Sequence, residues 1–572
     1  MSAPVVDSVE DPLTVSKENG NGGVPQRVQE GGSNDVAYPS PFKLTFILLS
    51  LALAVFLYGL DQTIIATAIP KITDDFNALA DVGWYAAAYL LTSSAFQLLF
   101  GKMFTIFSIK YVYLLAVALF ELGSLVCATA PNSAAFIIGR AIAGVGAAGL
   151  YSGAVIILTH SAPLEKRPGY IGLLGASVGI ASIVGPFLGG AFADRVTWRW
   201  CFYINLPLGA VTFVIVALFV SIPQNPKYAV MGWIQLLQQL DILGIVTLMP
   251  AIICLLLALQ WGGSTYAWKN ARIIVLLILF GILSITFVFV QRLTPKTRTI
   301  PGSIFRSRSI GFTTWYAGCT FALFVVMVYY LPIWFQGVQL VDAFQSGIRT
   351  IPVILGFIVF AIISSMLTQV TGYYTPLMIV SSTIMPIAVG LLSTFKLSTP
   401  SSQWIGYQAL FGFGVGAGIQ CPLIVIQTVL PDADIPVGTA LITLTQSLFG
   451  AVFVAIAQNI FKNQLETNIH AVIPGFNTQI LLNGGATTAV QQIPNASREQ
   501  FLGAYSKTIT QTFYIGVVLG ALSMIGSLGT EWRSVKSGGE KSSSTDVEDA
   551  GTEGVENDGG GHEGMAETKN NI

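Results

Sequence analysis

Charged residues are scarce in this sequence. Only 10% of its 572 residues are Asp, Glu, Lys or Arg, whereas an average soluble domain has about 25%. Hydrophobic residues make up 53%, and apolar runs long enough to cross a bilayer recur along most of the chain. The formal net charge is -1, and the sequence has no basic block of the kind that follows a phosphate backbone. We therefore expect the lipid bilayer as a partner, and no nucleic acid.

Histidine and cysteine are also too few for a disulfide framework, a metal site or an acid–base active site. The chain has three histidines and five cysteines, and the cysteines stand singly in or beside apolar runs. This pattern argues against a disulfide framework and a zinc site. We therefore expect no metal, no cofactor and no enzymatic activity.

No G-x-x-x-x-G-K-[ST] sequence, the motif that binds the phosphates of ATP, occurs in the chain. Uphill transport would therefore require an ion gradient. The segment "GVGAAG" matches a dinucleotide fingerprint, but it lies inside an apolar helix, where small residues favour close helix packing.

Apolar segments predict fourteen membrane-spanning helices and therefore an all-α polytopic membrane protein. The expected spans are approximately 44–68, 82–103, 111–130, 134–158, 169–193, 201–221, 239–260, 271–291, 310–335, 346–368, 375–395, 402–427, 437–461 and 511–531. The tails, residues 1–40 and 534–572, are polar and contain few large apolar groups, so we expect them to be disordered. The N-terminus lacks the features of a cleaved signal peptide.

An even number of spans places both tails on one side of the membrane. A slight excess of Lys and Arg in the loops on that side indicates that it is cytoplasmic. The long connection 462–510 then faces outside, and it carries an N-glycosylation sequon at Asn495. We expect a monomer in the plasma membrane, with the vacuolar membrane as the alternative.

An internal repeat indicates two related halves. The segment "IIGRAIAGVGAAG" (Ile137–Gly149) aligns with "IGYQALFGFGVGA" (Ile405–Ala417) at an offset of 268 residues, and Gln408 then occupies the position of Arg140. Duplicated halves with a binding site between them are a common transporter plan. We assign 41–221 and 310–533 to six-helix halves, and 222–309 to two inserted helices followed by a basic loop.

Three ionisable residues lie inside the expected spans: Asp61, Glu121 and Arg140. A charge at the centre of a membrane helix costs about 2.5–3.5 kcal/mol on insertion scales, so each is a functional candidate. Asp61 and Arg140 lie at similar depths, roughly 10 Å and 9 Å from the outer ends of their helices. If these helices are neighbours, the two side chains pair, and protonation of Asp61 would release Arg140. The alternative is a permanent structural salt bridge. Glu121 lies nearer the middle of the membrane, without an obvious partner.

The fifth span contains closely spaced glycines around a proline, in "GASVGIASIVGPFLGG". Steps of four residues place Gly185 and Gly189 on one helix face, which gives a neighbouring backbone a smooth surface. Pro186 removes one backbone hydrogen bond and permits a kink. A generic packing helix is the alternative interpretation.

Five stretches together resemble the major facilitator superfamily, in particular its fourteen-span drug:proton antiporters and fungal toxin or multidrug efflux pumps. They are "LDQTIIATAIP", "GKMFTIFSIK", "GRAIAGVGAAG", "GIASIVGPFLGG" and "WRWCFYINLP". The resemblance covers about residues 41–533. It implies two six-helix halves that give alternating access to a central cavity, with two further helices inserted between them.

The resemblance also implies roles for individual residues. Asp61 belongs to the signature of the first span, and Arg140 resembles the basic residue associated with proton transfer. Gly185, Pro186, Gly189 and Gly190 resemble the antiporter motif. Side chains that we expect to contact cargo in the cavity are Gln97, Tyr330, Trp334, Phe335, Gln408 and Gln446.

The loop motif after the second span departs from the family pattern. Gly101, Lys102 and Lys110 are present, but Thr105 stands where the family has an acidic residue. This chain therefore lacks the acid that the charge relay of the family uses.

These features favour proton-coupled efflux of a small, largely apolar organic compound, such as a secondary metabolite, a toxin or a drug. One alternative is a proton-coupled importer of a siderophore or another nutrient, because such importers share the fourteen-span plan. An alternative of another class is a transporter-like sensor or receptor.

Overall fold

A computed structural model of the chain describes residues 38–78, 81–224, 226–263, 265–295, 297–474 and 495–536. Nineteen helices are present in these ranges. The helices before the inserted segment are α1 Pro41–Phe76, α2 Val82–Ile106, α3 Ile109–Thr129, α4 Ser133–Ser161, α5 Arg167–Arg195, α6 Trp200–Tyr203 and α7 Asn205–Phe219. Those of the inserted segment are α8 Pro226–Ala229, α9 Trp233–Gln239, α10 Ile242–Trp261, α11 Ala271–Leu293 and α12 Gly302–Arg306. The remainder are α13 Arg308–Val338, α14 Ala343–Thr371, α15 Thr375–Leu392, α16 Ser401–Gly418, α17 Cys421–Val429, α18 Ile435–Val472 and α19 Asn495–Gly529.

The architecture agrees with the predicted all-α membrane fold. Thirteen helical segments in the described ranges are long and apolar enough to cross a bilayer. A helix satisfies its own backbone hydrogen bonds, which is why such segments are helical in lipid. The second predicted span corresponds to the helix α2, which is not among these thirteen; Thr92, Ser93, Ser94 and Gln97 interrupt its apolar sequence. The expected disordered tails 1–40 and 534–572 lie almost entirely outside the described residues.

Two predicted segments differ from the structure. The connection expected at 462–510 is shorter, because α18 continues to Val472 and α19 begins at Asn495. Both extensions are more polar than the spans themselves, so hydropathy alone ended the helices too early. The span expected at 402–427 is confirmed as Ser401–Val429, but its helix is broken at Ile419 and Gln420, between α16 and α17. Pro422 has no N–H to donate to the carbonyl of Gly418 four residues earlier, which explains the break.

The helices before the inserted segment, α1–α7, form the first part of the bundle, and those after it, α13–α19, form the second part. Helix pairs pack closely within each part and also between the two parts. In the first part, α1 packs on α5, and α4 packs on α2 and α3. In the second part, α13 and α15 pack on α19, and α14 and α15 pack on α16. Contacts between the parts join α5 to α14 and α2 to α18, while the inserted α10 packs on α11, α2 and α18.

Successive spanning helices alternate in direction, so the bundle has two sides. We call the side where α1 begins and α19 ends the tail side, and the opposite side the far side. The turns that join α2 to α3, α4 to α5 and α17 to α18 lie on the tail side.

Candidate functional site

The first helix and the fourth helix are joined by a buried ion pair. Arg140 Nη1 lies 2.7 Å from Asp61 Oδ2, and the two side chains are 1% and 0% exposed. Arg140 Nε donates to the backbone carbonyl of Tyr85 at 2.9 Å, and its Cζ lies 4.5 Å from the ring centroid of Tyr89. The expected contact between Asp61 and Arg140 is therefore confirmed, and α2 also holds the guanidinium in place.

One oxygen of the aspartate is left without a partner. Asp61 Oδ1 is buried and has no hydrogen-bond partner among the described residues. Removing a charge from water is costly, so a buried carboxylate depends strongly on its single cation. The bond between Arg140 and Asp61 Oδ2 is therefore the electrostatic tie between α1 and α4.

The glycines of the fifth helix bring α5 against the helix that carries Asp61. A Cβ on Gly185 would lie 2.1 Å from Thr63 Oγ1, and one on Gly189 would lie 2.3 Å from Thr67 Oγ1. Thr63 Oγ1 also donates to the carbonyl of Ala181 at 3.1 Å. No heavy atom lies within 4 Å of the Cβ position of Gly190. The motif therefore provides close packing at Gly185 and Gly189, whereas Gly190 faces open space. Pro186 lies inside α5 without ending it.

The two neighbouring glycines provide a matched pair of variants. We expect Gly189→Ala to push α1 away from α5, because its Cβ would also lie 2.5 Å from the carbonyl oxygen of Ile64. Overpacking of this kind costs about 1–3 kcal/mol. Gly190→Ala should unfold at or slightly above the wild-type temperature, because its Cβ meets open space and alanine favours a helix. Thermal unfolding of the purified variants measures the difference, and equal stability of the two would contradict the proposed role of Gly189.

A cavity of about 720 Å³ lies between the first and second parts of the chain. Residues of α1, α2, α4 and α5 line one side, and residues of α13, α14, α18 and the break before α17 line the other. None of the described lining residues is Asp, Glu, Lys, Arg or His. The polar groups are amides and hydroxyls, of which the amides belong to Gln62, Gln97, Gln336, Gln420 and Gln446. The cavity therefore suits an uncharged molecule with a few polar atoms.

Only two of the six side chains that we expected to contact cargo line this cavity. Gln97 and Gln446 do, whereas the side chains of Tyr330, Trp334, Phe335 and Gln408 are 0–1% exposed and lie outside the cavity wall. Gln408 lies on α16, which contributes no described residue to the lining. On α13 the rotation of the helix decides, since Phe324, Val328, Pro332 and Gln336, spaced four apart, face the cavity. Tyr330 and Trp334 are two positions out of phase and therefore point to the opposite side. Trp334 Nε1 donates there to Ser506 Oγ at 3.0 Å.

Adjacent tyrosines on α13 test this helix phase. Tyr329 lines the cavity and is 45% exposed, whereas Tyr330 is 1% exposed and packs in the core. We expect Tyr329→Ala to change the relative export of different compounds at nearly unchanged stability. Tyr330→Ala should instead lower the stability by about 3–5 kcal/mol, as removal of a large buried aromatic ring does. Thermal unfolding and export assays on both variants measure this, and the reverse pattern would show that the phase is wrong.

The ion pair lies next to the cavity without lining it. Tyr58 and Gln62, three residues before and one residue after Asp61, line the cavity, while Asp61 turns toward α4. On α4, Tyr151 lines the cavity three turns beyond Arg140, and its ring stacks on that of Tyr58 with 5.9 Å between centroids. A shift of α1 relative to α4 would therefore change the cavity wall.

The cavity is closed toward the tail side. Tyr151 Oη donates to Gln420 Oε1 at 3.2 Å and so joins the two parts at the cavity floor. Below this bond, a Cβ on Gly172 would lie 2.6 Å from Ser365 Cβ, so α5 and α14 are in close contact. On the opposite side the cavity extends to Gln336 and Gly347, near the far-side ends of α13 and α14. The structure therefore has its tail side closed.

Glu121 does not join the ion pair or the cavity. It packs against α7, where a Cβ on Gly209 would lie 1.7 Å from Glu121 Oε1. Both of its carboxyl oxygens are buried and have no hydrogen-bond partner among the described residues. Asn205, one turn before Gly209, donates to Ser124 at 3.1 Å. The structure thus places Glu121 at a contact between α3 and α7.

The remaining motifs lie at the two ends of the bundle. On the tail side, Gly101 packs against α18. Lys102 Nζ donates to the carbonyl of Arg298 at 2.9 Å, and Lys110 Nζ donates to the carbonyl of Ala217 at 2.6 Å.

On the far side, Arg199 lies 2.9 Å from Asp75 beyond the end of the first span. This guanidinium holds the pKa of the Asp75 carboxyl below its ordinary value. The side chain of Asn495, in the predicted sequon, lies outside the described residues.

Sequence reasoning missed most of the residues that line the cavity. Tyr151, Gln336 and Gln420 are examples. The available signal was the occurrence of glutamines inside apolar spans, because an amide in a membrane helix needs a polar environment. Polarity does not reveal which aromatic residues of α13 face the cavity, because apolar residues cover both faces of this helix.

Comparisons with known proteins agree with this architecture. Residues 51–454 match the sequence model of the Major Facilitator Superfamily. The chain is 48% identical to the thioclapurine efflux transporter of Claviceps purpurea over 89% of this chain and 94% of that one. It is 47% identical to the efflux pump roqT of Penicillium rubens, over 91% and 98% of the two chains. It is also 47% identical to the efflux pump aflT of Aspergillus parasiticus, over 87% and 97%.

Solved structures agree on the fold. The human organic anion transporter MFSD10 aligns with a TM-score of 0.54 at 14% identity, over 83% of this chain and 99% of that one. The proton:xylose symporter XylE aligns with a TM-score of 0.54 at 16% identity, over 84% and 94%. The chain therefore belongs to the major facilitator superfamily, among relatives that are fungal efflux pumps, and it is a multi-pass membrane transporter and not an enzyme.

Proposed function

We propose that this protein exports small, uncharged, largely apolar organic compounds across the plasma membrane in exchange for protons. The observation that carries the proposal is the buried Asp61–Arg140 pair beside a cavity without ionisable lining residues. The two halves, residues 41–221 and 310–533, would move against each other to expose the cavity alternately to the two sides. With both tails in the cytoplasm, the conformation in the structure would be closed toward the cytoplasm.

The cavity supports the proposed class of cargo. Its volume of about 720 Å³ lies in the range of about 300–1,000 Å³ that is usual for pockets holding drug-sized ligands. Aromatic walls from residues such as Tyr58 and Phe324 offer apolar contact, and the glutamine amides offer a few hydrogen bonds. An ionised cargo would meet no described countercharge in this lining. The relatives named for thioclapurine export and for efflux point to the same broad class.

The ion pair supports proton coupling. In the deprotonated state, Asp61 holds Arg140 and thereby ties α1 to α4. A proton arriving from the far side would neutralise Asp61, free the guanidinium and let α1 shift. Because Tyr58 and Gln62 lie on the same helix, this shift would alter the cavity wall. Release of the proton to the cytoplasm would restore the pair, so that one cycle exchanges protons for cargo.

Cellular accumulation of dyes tests the direction and the class of cargo. Yeast cells producing the protein would be loaded with neutral Nile red, anionic fluorescein or cationic rhodamine 6G. We expect lower retention of Nile red than in cells with an empty vector, little change for the two charged dyes, and loss of the effect when a protonophore is added. Higher Nile red accumulation would favour the importer. Unchanged accumulation of all three dyes, with the protein present in the membrane, would count against this cargo class.

A further inference from the structure

We infer that residues 297–307, which follow the two inserted helices, form a strap that holds the tail side of the transporter closed. The strap joins three bodies: the inserted pair α10 and α11, the end of α2 in the first half, and the start of α18 in the second half. The inference rests on the proposed function only in that the tail side must open during transport. The contacts themselves are independent of the cargo and of the proton.

The strap is anchored on the inserted helices by a buried carboxylate. Asp241 is 2% exposed, and its Oδ1 caps α10 by accepting from Gly244 N at 2.9 Å. Its Oδ2 accepts from the backbone N of Thr299 at 3.0 Å and from Thr299 Oγ1 at 2.9 Å. Gln291 of α11 donates to the same oxygen, and its Oε1 accepts from Ile300 N at 3.2 Å. A buried carboxylate with this many donors fixes the backbone of the strap at residues 299 and 300.

The first half holds the strap through Lys102. This lysine lies at the tail-side end of α2, is 8% exposed, and donates from Nζ to the carbonyl of Arg298 at 2.9 Å. Among the described residues no carboxylate lies within ion-pair distance of it. Thr105, at the position where relatives of the wider family have an acid, hydrogen-bonds to the carbonyl of Gly101 in its own helix. The loop motif thus gives Lys102 no acidic partner, and the backbone carbonyl of Arg298 in the strap accepts its hydrogen bond instead.

The second half holds the strap through Asp434. Ser303 Oγ donates to Asp434 Oδ2 at 2.5 Å, immediately before α18 begins at Ile435. Ile300 and Ile304 are 7% and 4% exposed and belong to the same apolar cluster as Ile435. The strap therefore contributes one hydrogen bond to this end of α18, and two apolar side chains to the buried cluster that Ile435 also joins.

These contacts make the strap a restraint on opening. A Cβ on Gly101 would lie 2.6 Å from Ala440 Cβ, so α2 and α18 touch directly where the strap crosses them. Opening of the tail side requires these helices to separate, and the strap cannot remain bonded to both. The Asp241 cluster is buried and has several bonds, whereas the contacts at Lys102 and Ser303 are single hydrogen bonds. We therefore expect the single bonds to break and the strap to stay on the inserted helices.

Spin labels on opposite halves measure the opening. Glu165 and Ala433 are exposed in the tail-side turns before α5 and before α18. E165C and A433C would be labelled in a protein that also carries C254S, since the other four cysteines are buried. Electron-paramagnetic-resonance distances are then recorded in detergent without cargo. The variants are Lys102→Met and Ser303→Ala, and the matched control is Phe305→Ala, because Phe305 lies on the strap but is 69% exposed.

Loss of either single bond should raise the ratio of open to closed molecules by about five-fold, as expected for one net hydrogen bond. Phe305→Ala should keep the wild-type distance distribution. A wild-type distribution in both Lys102→Met and Ser303→Ala would overturn the inference, whatever the outcome of the dye assays. A second variant guards against misfolding: the oxidised pair S303C/D434C should block Nile red export, and a reductant should restore it. Full export by the cross-linked protein would also contradict the strap.

Discussion

Asp61→Asn should abolish export driven by a proton gradient while leaving exchange of cargo across the membrane intact. Asparagine is nearly isosteric with aspartate and still accepts a hydrogen bond from Arg140, but it carries no charge to titrate. In reconstituted vesicles, we expect gradient-driven transport to fall by about 100-fold, the lower end of the range typical for loss of a proton-transfer group. Counterflow of labelled cargo, which needs no net proton movement, should stay within about two-fold of the wild-type rate.

Asp74→Asn is the matched control for this variant. Asp74 is an exposed acid on the same helix, and the structure places it beyond the first span. The Asp74→Asn variant should transport like the wild type, because a solvated charge contributes little to the buried Asp61–Arg140 pair. If Asp61→Asn also retained gradient-driven transport, the pair would be a permanent structural salt bridge and proton coupling would have to reside elsewhere.

Arg140→Gln should destabilise the protein more than Asp61→Asn does, because in Asp61→Asn the guanidinium keeps the amide oxygen, the carbonyl of Tyr85 and the ring of Tyr89 as partners. Without the guanidinium, the Asp61 carboxylate is buried, 0% exposed, and without a cation. Removing one partner of a buried pair costs about 3–5 kcal/mol, because the remaining charge is uncompensated. The bonds from Arg140 to the carbonyl of Tyr85 and to the ring of Tyr89 are lost as well. Thermal unfolding in detergent should therefore show a markedly lower transition temperature.

The double variant separates charge from packing. Asp61→Asn combined with Arg140→Gln removes both charges, so most of the lost stability should return. A double-mutant cycle measures the interaction free energy between the two side chains. Equal destabilisation by Arg140→Gln with and without Asp61→Asn would mean that the arginine stabilises the bundle through Tyr85 and Tyr89, and not through Asp61.

The ion pair could be predicted from the sequence because its members are rare and their depths can be compared. Charges inside apolar runs are costly, so Asp61 and Arg140 stand out, and a rise of about 1.5 Å per residue places them at one level. The resemblance to the family supplied the remaining condition, that their helices are neighbours. The close packing at Gly185 and Gly189 could be expected in the same way, from the spacing of small residues.

The cavity wall and the strap could not be predicted in this way. Tyr329 and Tyr330 are identical in type and adjacent in sequence, and only the rotation of α13 separates cavity from core. The bond between Lys102 and Arg298 joins residues 196 positions apart, and its acceptor is a backbone carbonyl that no side-chain pattern reveals. The departure at Thr105 did indicate that Lys102 needs another partner. It did not indicate where that partner lies.

Cargo-driven proton movement shows whether Asp61 carries the proton. Vesicles containing the purified protein and the pH indicator pyranine would receive a neutral cargo such as Nile red, at equal internal and external pH. We expect that the cargo gradient drives protons in the opposite direction in the wild type, and that Asp61→Asn moves cargo without a pH change. A cargo-dependent pH change of wild-type size in Asp61→Asn would contradict the assignment of Asp61 as the proton carrier.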